Sequence, residues 1–172
     1  MDRTMGWVMI SLKEMGSERK SRARIGRLDG RLHVGRLDYS AGGVGRNICE
    51  ALGKLGRSSH FISAVGDDQQ GRILTRNIPK ESSKFIKVFP GRHSAQCIVV
   101  LDKNGNCSFL MGDMSIHKLI TPEVIEQHEN IIKKSPLIVL DGNISEAGMD
   151  KALEMAHTHK IPVHENSRCG SP

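Results

Sequence analysis

The sequence predicts an α/β fold in which strands and helices alternate, and three stretches carry that expectation. After a glycine turn, Ile48, Ala51, Leu52 and Leu55 recur at three- and four-residue spacing, a helical period, and Phe61, Ile62, Ala64 and Val65 follow as a mostly buried strand. Leu137-Ile138-Val139-Leu140 is an unbroken aliphatic run between Pro136 and Asp141-Gly142-Asn143, the pattern of a parallel strand covered on both faces by helices. Between these regions, Asn104-Gly105 joins two extended runs, and the pair favours a type I′ hairpin. Such a hairpin interrupts the β/α alternation, as a lid or a small second sheet would.

Residues 1–38 show no consistent periodicity. Trp7, Val8, Met9, Ile10 and Leu12 make a brief apolar patch of strand length, and Leu32, Val34 and Leu37 a weaker one, but ordered core is expected to begin only at Tyr39. Ala41-Gly42-Gly43-Val44-Gly45 then lets backbone approach a bound molecule closely, because glycine accepts positive φ and has no Cβ. Asn47 follows, either to offer its amide to a polar ligand or to tighten the turn. Gly56 is placed to end the helix, and Gly66-Asp67-Asp68 forms a turn at the C-terminal end of the next strand, the end where open α/β sheets hold ligands.

Gln69 to Ile78 reads as a short helix stopped by Pro79, and Phe85, Ile86, Val88 and Phe89 as a strand. The hairpin spans about residues 93–111, with His93, Gln96 and Cys97 on its approach. Thr121-Pro122-Glu123 starts a helix with Thr121 at the cap and Pro122 at the first helical position. Val124, Ile125, Ile131 and Ile132 give it an apolar side. Asp141, Gly142 and Asn143 close the aliphatic strand, as a pocket edge or as an ordinary turn. Ser145 caps a further helix with Met149, Ala152, Leu153 and Ala156 on one side, and Ile161 and Val163 open another strand before a divergent tail at 164–172.

At 172 residues the chain is long enough for one core, and with 3% aromatic residues that core must be aliphatic. Base-stacking recognition of nucleic acid has little to work with. The formal charge of +6 gathers before the glycine turn, at Arg19, Lys20, Arg22, Arg24, Arg27, Arg31 and Arg36. That segment reads as a flexible, solvated leader or as a salt-sensitive arm for nucleic acid or an acidic surface. Cys49, Cys97, Cys107 and Cys169 show no metal-site spacing, so reduced thiols and a cytoplasmic location are expected. The arginine-bearing N-terminus is the one feature toward mitochondrial import, and Asp2, Glu14 and Glu18 weaken it. No apolar run suits a membrane span.

The blocks SAGGVGRNICEALGKLG (residues 40–56) and FISAVGDDQQG (61–71) resemble the signature region of the PfkB carbohydrate and nucleoside kinases, the ribokinase-like fold. GGVGRN, with MGDMSIH (111–117), ITPE (120–123) and LDGNI (140–144), is most similar to the pseudouridine kinases within that family. The resemblance runs from about Tyr39 to Val163 and implies a three-layer α/β/α sandwich with a small β lid, about the first half of a typical member. It implies that Gly42, Gly43 and Asn47 line the ribose end of a substrate pocket and that Asp141, Gly142 and Asn143 lie at its edge. The reaction implied moves the ATP γ-phosphoryl group to a sugar 5′-hydroxyl with a magnesium ion.

Two family features have no counterpart. The first strand of the family carries an aspartate that holds the sugar, and the late GAGD block supplies the catalytic aspartate and anion hole; neither occurs here. No catalytic residue and no metal ligand is therefore assigned. The expectation is a kinase fragment, inactive alone, whose parent takes pseudouridine or a related ribosyl substrate with ATP and Mg²⁺. A non-catalytic fragment that pairs with a kinase-fold partner or a second copy through the lid or a sheet edge is the alternative. Weak nucleic-acid association through the basic segment is a third reading.

Overall fold

Phe61 and Ile62 are adjacent, both fully buried, and belong to different cores, because successive side chains of a strand point to opposite faces. They lie on β2 (Ser59–Gly66). A computed structural model describes residues 39–101 and 104–165 with their side chains, and Trp7–Ile10 and Asn166 by their backbone. Phe61 and Val65 pack with Cys49, Leu74, Ile78, Ile86 and Val139. Ile62 and Ala64 pack with Ile116, Ile120, Ile125, Ile138, Leu140 and Ala152 on the other side.

The sheet between these cores has the order β3-β2-β1-β6-β7, all parallel, where β1 is Trp7–Ile10, β3 Ile86–Phe89, β6 Ile138–Asp141 and β7 Val163–Asn166. Helices α1 (Val44–Lys54) and α2 (Gln69–Thr75) lie on the Phe61 side, with the short α3 (Lys80–Ser83) after Pro79. On the other side are α4 (Pro122–Glu126), α5 (Glu129–Ile132) and α6 (Glu146–Thr158). A separate antiparallel pair, β4 (Gln96–Leu101) and β5 (Cys107–Asp113), forms the lid sheet, and a 3-10 turn at Ser115–Leu119 returns the chain to the core. The expected three layers and small β lid are therefore present.

Two expectations are corrected. Ordered structure does not begin at Tyr39: Trp7–Ile10 is the central strand, with Ile10 paired to both Ile62 and Leu140. A four-residue apolar run set between two parallel neighbours carries no alternation, so its strand length is legible but its place in the sheet is not. Leu55 and Leu153 are exposed, while Cys49 and Met155 take the buried positions on their helices. Thr121 stands at the N-cap of α4 and Pro122 starts the helix as expected, without a side-chain cap hydrogen bond. Gly105 in the hairpin turn has φ 85°, the left-handed conformation glycine favours. Leu32, Val34, Leu37, the arginines at 19–36 and Cys169 lie outside the described residues.

Candidate functional site

Chain order decides where a ligand can sit. From β1 the chain moves outward to β2 and β3, then returns to the other side of β1 to lay down β6 and β7. The sheet therefore switches direction beside β1, and the crevice beyond the strand ends there is the expected ligand position. Residues one step beyond the Ile10 pairings are Ser63 and Asp141, both buried, with Ser63 Oγ and Asp141 Oδ2 lacking any hydrogen-bond partner among the described residues. By alternation they share the sheet face of Phe61 and Val139, the face covered by α1.

The start of α1 supplies the other wall. Gly42 and Gly43 are buried, and Gly43 has φ 101°, which a side chain would strain. Gly43 O accepts from Asn47 N at 2.8 Å, closing the first helical turn. Arg46, which the sequence analysis passed over, is 5% exposed and braces this turn. Its Nε donates to Gly42 O at 2.9 Å, Nη2 to Ala41 O at 2.9 Å, and Nη1 to Glu50 Oε2 at 2.6 Å. Glu50 also takes Lys54 at 2.7 Å, and donors from Lys54 and then Arg46 hold its carboxyl below the usual range. The detectable signal was an arginine with a glutamate four residues on, beside a glycine turn.

Arg46 Nη2 also donates to Asn47 Oδ1. Asn47 is exposed, and its side-chain NH₂ keeps both donors without a partner among the described residues. The turn is tightened by Arg46, so the Asn47 amide is not needed for that role.

At the β6 end, Asp141 is 4% exposed and its Oδ1 accepts from Asn143 N at 3.1 Å and from the Asn143 amide. Gly142 and Asn143 line a cavity of about 650 Å³ whose opposite wall is Met114, Ser115 and Lys118, at the root of the lid. Gly42, Gly43 and Asn47 do not line that cavity; they sit at the head of α1, which packs on β6. Behind the lid-root wall is His117, fully buried, with neither ring nitrogen paired. Burial pushes its pKa down to about 4, and the nearby Asp141 charge opposes this.

The Gly66-Asp67-Asp68 turn has a structural job. Asp68 caps α2 by accepting from Gly71 N at 2.8 Å, and it holds the lid approach through Ser94 N at 2.8 Å and Ser94 Oγ at 2.6 Å. Partial burial raises the Asp68 carboxyl, but these donors outweigh it and hold it low. Among the described residues no three His, Cys, Asp or Glu side chains gather as a metal site.

Comparison with known proteins agrees with this architecture. The pfkB family carbohydrate kinase profile matches residues 8–168, including β1. Pseudouridine kinase of Escherichia coli (strain K12) is 34% identical over 131 residues, covering 75% of this chain and 41% of that protein. Pseudouridine kinase of Arabidopsis thaliana is 27% identical over 130 residues, covering 75% and 34%. The structure of Arabidopsis thaliana ribokinase complexed with ribose and ATP superposes with a TM-score of 0.73 at 15% identity, covering 93% of this chain and 52% of that one. The chain spans less than half the length of these two curated relatives and about half of the solved ribokinase. A profile match running from the central strand to the last, over the same fold, places the chain in the pfkB family of carbohydrate kinases.

Proposed function

We propose that this chain forms the sugar-holding side of a PfkB-type kinase whose acceptor is a ribosyl compound, with pseudouridine the first candidate. The observation that carries this is the Arg46-braced glycine turn, which leaves the Asn47 amide donors free at the strand ends where Asp141 offers an unpaired carboxylate oxygen. Sugar hydroxyls both donate and accept, so amide donors on one side and a carboxylate on the other suit a vicinal diol. The names of the relatives support a ribosyl acceptor, and the pseudouridine choice follows the GDMSIH and LDGNI blocks.

In such kinases ATP with Mg²⁺ supplies the phosphoryl group and neutralises its charge. This chain's residues orient the acceptor: Gly42 and Gly43 admit it close to the backbone, Asn47 donates to it, and Asp141 accepts from it. Because the 172 residues contain no GAGD block, the chain alone is proposed to bind without transferring phosphate. Calorimetric titration with pseudouridine, uridine and ribose tests the reading. N47A should weaken ribosyl binding about ten-fold, the loss of roughly one to two hydrogen bonds. Absence of binding by every ribosyl compound at millimolar concentration overturns the reading, and magnesium-dependent turnover by the purified chain overturns its non-transferring part.

One observation favours a protein partner as well. Ile98 and Met111, directly opposite each other on one face of the lid sheet, are each more than half exposed. A second kinase-fold chain covering this face is proposed on that ground. Light scattering over a range of concentrations should show self-association that M111K abolishes; a monomer at every concentration speaks against a second copy of this chain.

A further inference from the structure

Among the described residues, three of the buried side-chain atoms that lack a hydrogen-bond partner belong to just two residues, Nδ1 and Nε2 of His117 and Oδ2 of Asp141. Each of these residues is next in sequence to residues that line one cavity. Ser115 and Lys118 of the His117 turn line one side, and Gly142 and Asn143, which follow Asp141, line the other. His117 is fully buried and Asp141 is 4% exposed, so bulk water does not satisfy either group. The Asp141 charge acts on the imidazole, pulling against the burial that keeps it neutral.

A neutral imidazole has one N–H donor and one acceptor nitrogen, whereas an ionised carboxylate only accepts. Asp141 Oδ1 is already occupied by the Asn143 amides, and Oδ2 is not. Leucine or phenylalanine would fill an aliphatic core beside Ile116 and Ile120 without orphaned atoms, so packing does not account for histidine at this position.

We propose that His117 is a positioning residue for Asp141: its ring N–H reaches Asp141 Oδ2 through one trapped water and fixes the carboxylate next to Gly142 and Asn143. The second lone pair of Oδ2 is then directed to a ligand hydroxyl. This use of the pair rests on the ribosyl-binding reading, while the pairing does not.

The test combines two measurements on the full chain. H117L should leave Asp141 Oδ2 buried and unpaired, so it should melt below wild type and bind pseudouridine about ten-fold more weakly, with H117Q recovering most of both. Wild-type affinity in H117L overturns the proposal, as does a joint loss of binding and melting temperature that H117Q fails to repair. Separately, ¹⁵N-histidine NMR without ligand should show one protonated, hydrogen-bonded His117 nitrogen whose signal moves in D141N. A signal indifferent to D141N overturns the pairing even if pseudouridine binds. An Asp141-dependent signal in a protein that binds no ribosyl compound overturns only the functional reading.

Discussion

Arg46 shows how one side chain organises a loop that glycine alone would leave loose. Glycine lets the chain take the Gly43 conformation but costs more backbone entropy on folding than any other residue. The guanidinium offsets this by holding the Ala41 and Gly42 carbonyls while itself paired to Glu50. R46A strands two carbonyls and a half-buried carboxylate, so it should lower unfolding free energy by about 3 kcal/mol, as for a buried pair that loses one partner. R46K keeps the charge but not the planar fork and should fall between. Urea unfolding of the three proteins measures both effects, and a wild-type midpoint in R46A would refute the bracing role.

Between elements, the Asp68–Ser94 clamp joins the end of β2, the start of α2 and the entry to the lid sheet. Its geometry admits nothing larger than glycine nearby: a Cβ on Gly66 would stand 2.0 Å from Arg92 O, and one on Gly71 2.4 Å from Gly66 O. D68A removes an N-cap and the acceptor for Ser94 N and Oγ together, so a loss of roughly 2–3 kcal/mol is expected. Hydrogen exchange should show the amides of Gly71 and Ser94 losing protection before those of β2. Uniform loss across the sheet would mean that the clamp is not a local device.

This level also shows how much was legible beforehand. Seven-residue α2, thirteen-residue α6 and the aliphatic β6 follow from periodicity and caps, with Ser145 accepting from Gly148 N at 3.1 Å as its position before the helix implies. Strand β1 did not follow, because its assignment depends on two neighbours more than fifty residues away in sequence. The division of the 120s into α4 and α5 is equally absent from the apolar pattern, which continues through Ile131 and Ile132.

For the molecule as a whole, buried histidines set the response to acid. His117 moves from an ordinary value near 6.5 to about 4, and burial also lowers His60 and His128. Between those pH values the unfolded chain binds protons that the native chain does not, so stability is full above about pH 6.5 and declines as pH falls toward 4. A single group shifted that far accounts for roughly 3 kcal/mol. Denaturant midpoints at pH 7.5 and 5 should therefore differ, with H117L showing the flatter dependence. Equal slopes in the two proteins would place the proton uptake elsewhere.

The amino-acid sequence by itself determined the α/β alternation, the glycine turn, the lid hairpin and the kinase family, since each is written in local spacing or in short blocks whose order is fixed. Tertiary structure alone decided that Trp7–Ile10 lies at the centre of the sheet, that Arg46 is buried against the turn, and that His117 and Asp141 are buried with unpaired polar atoms. Those facts depend on which face of one element meets another across long stretches of chain. Periodicity reports the side on which a residue lies, and only packing reports what it meets there.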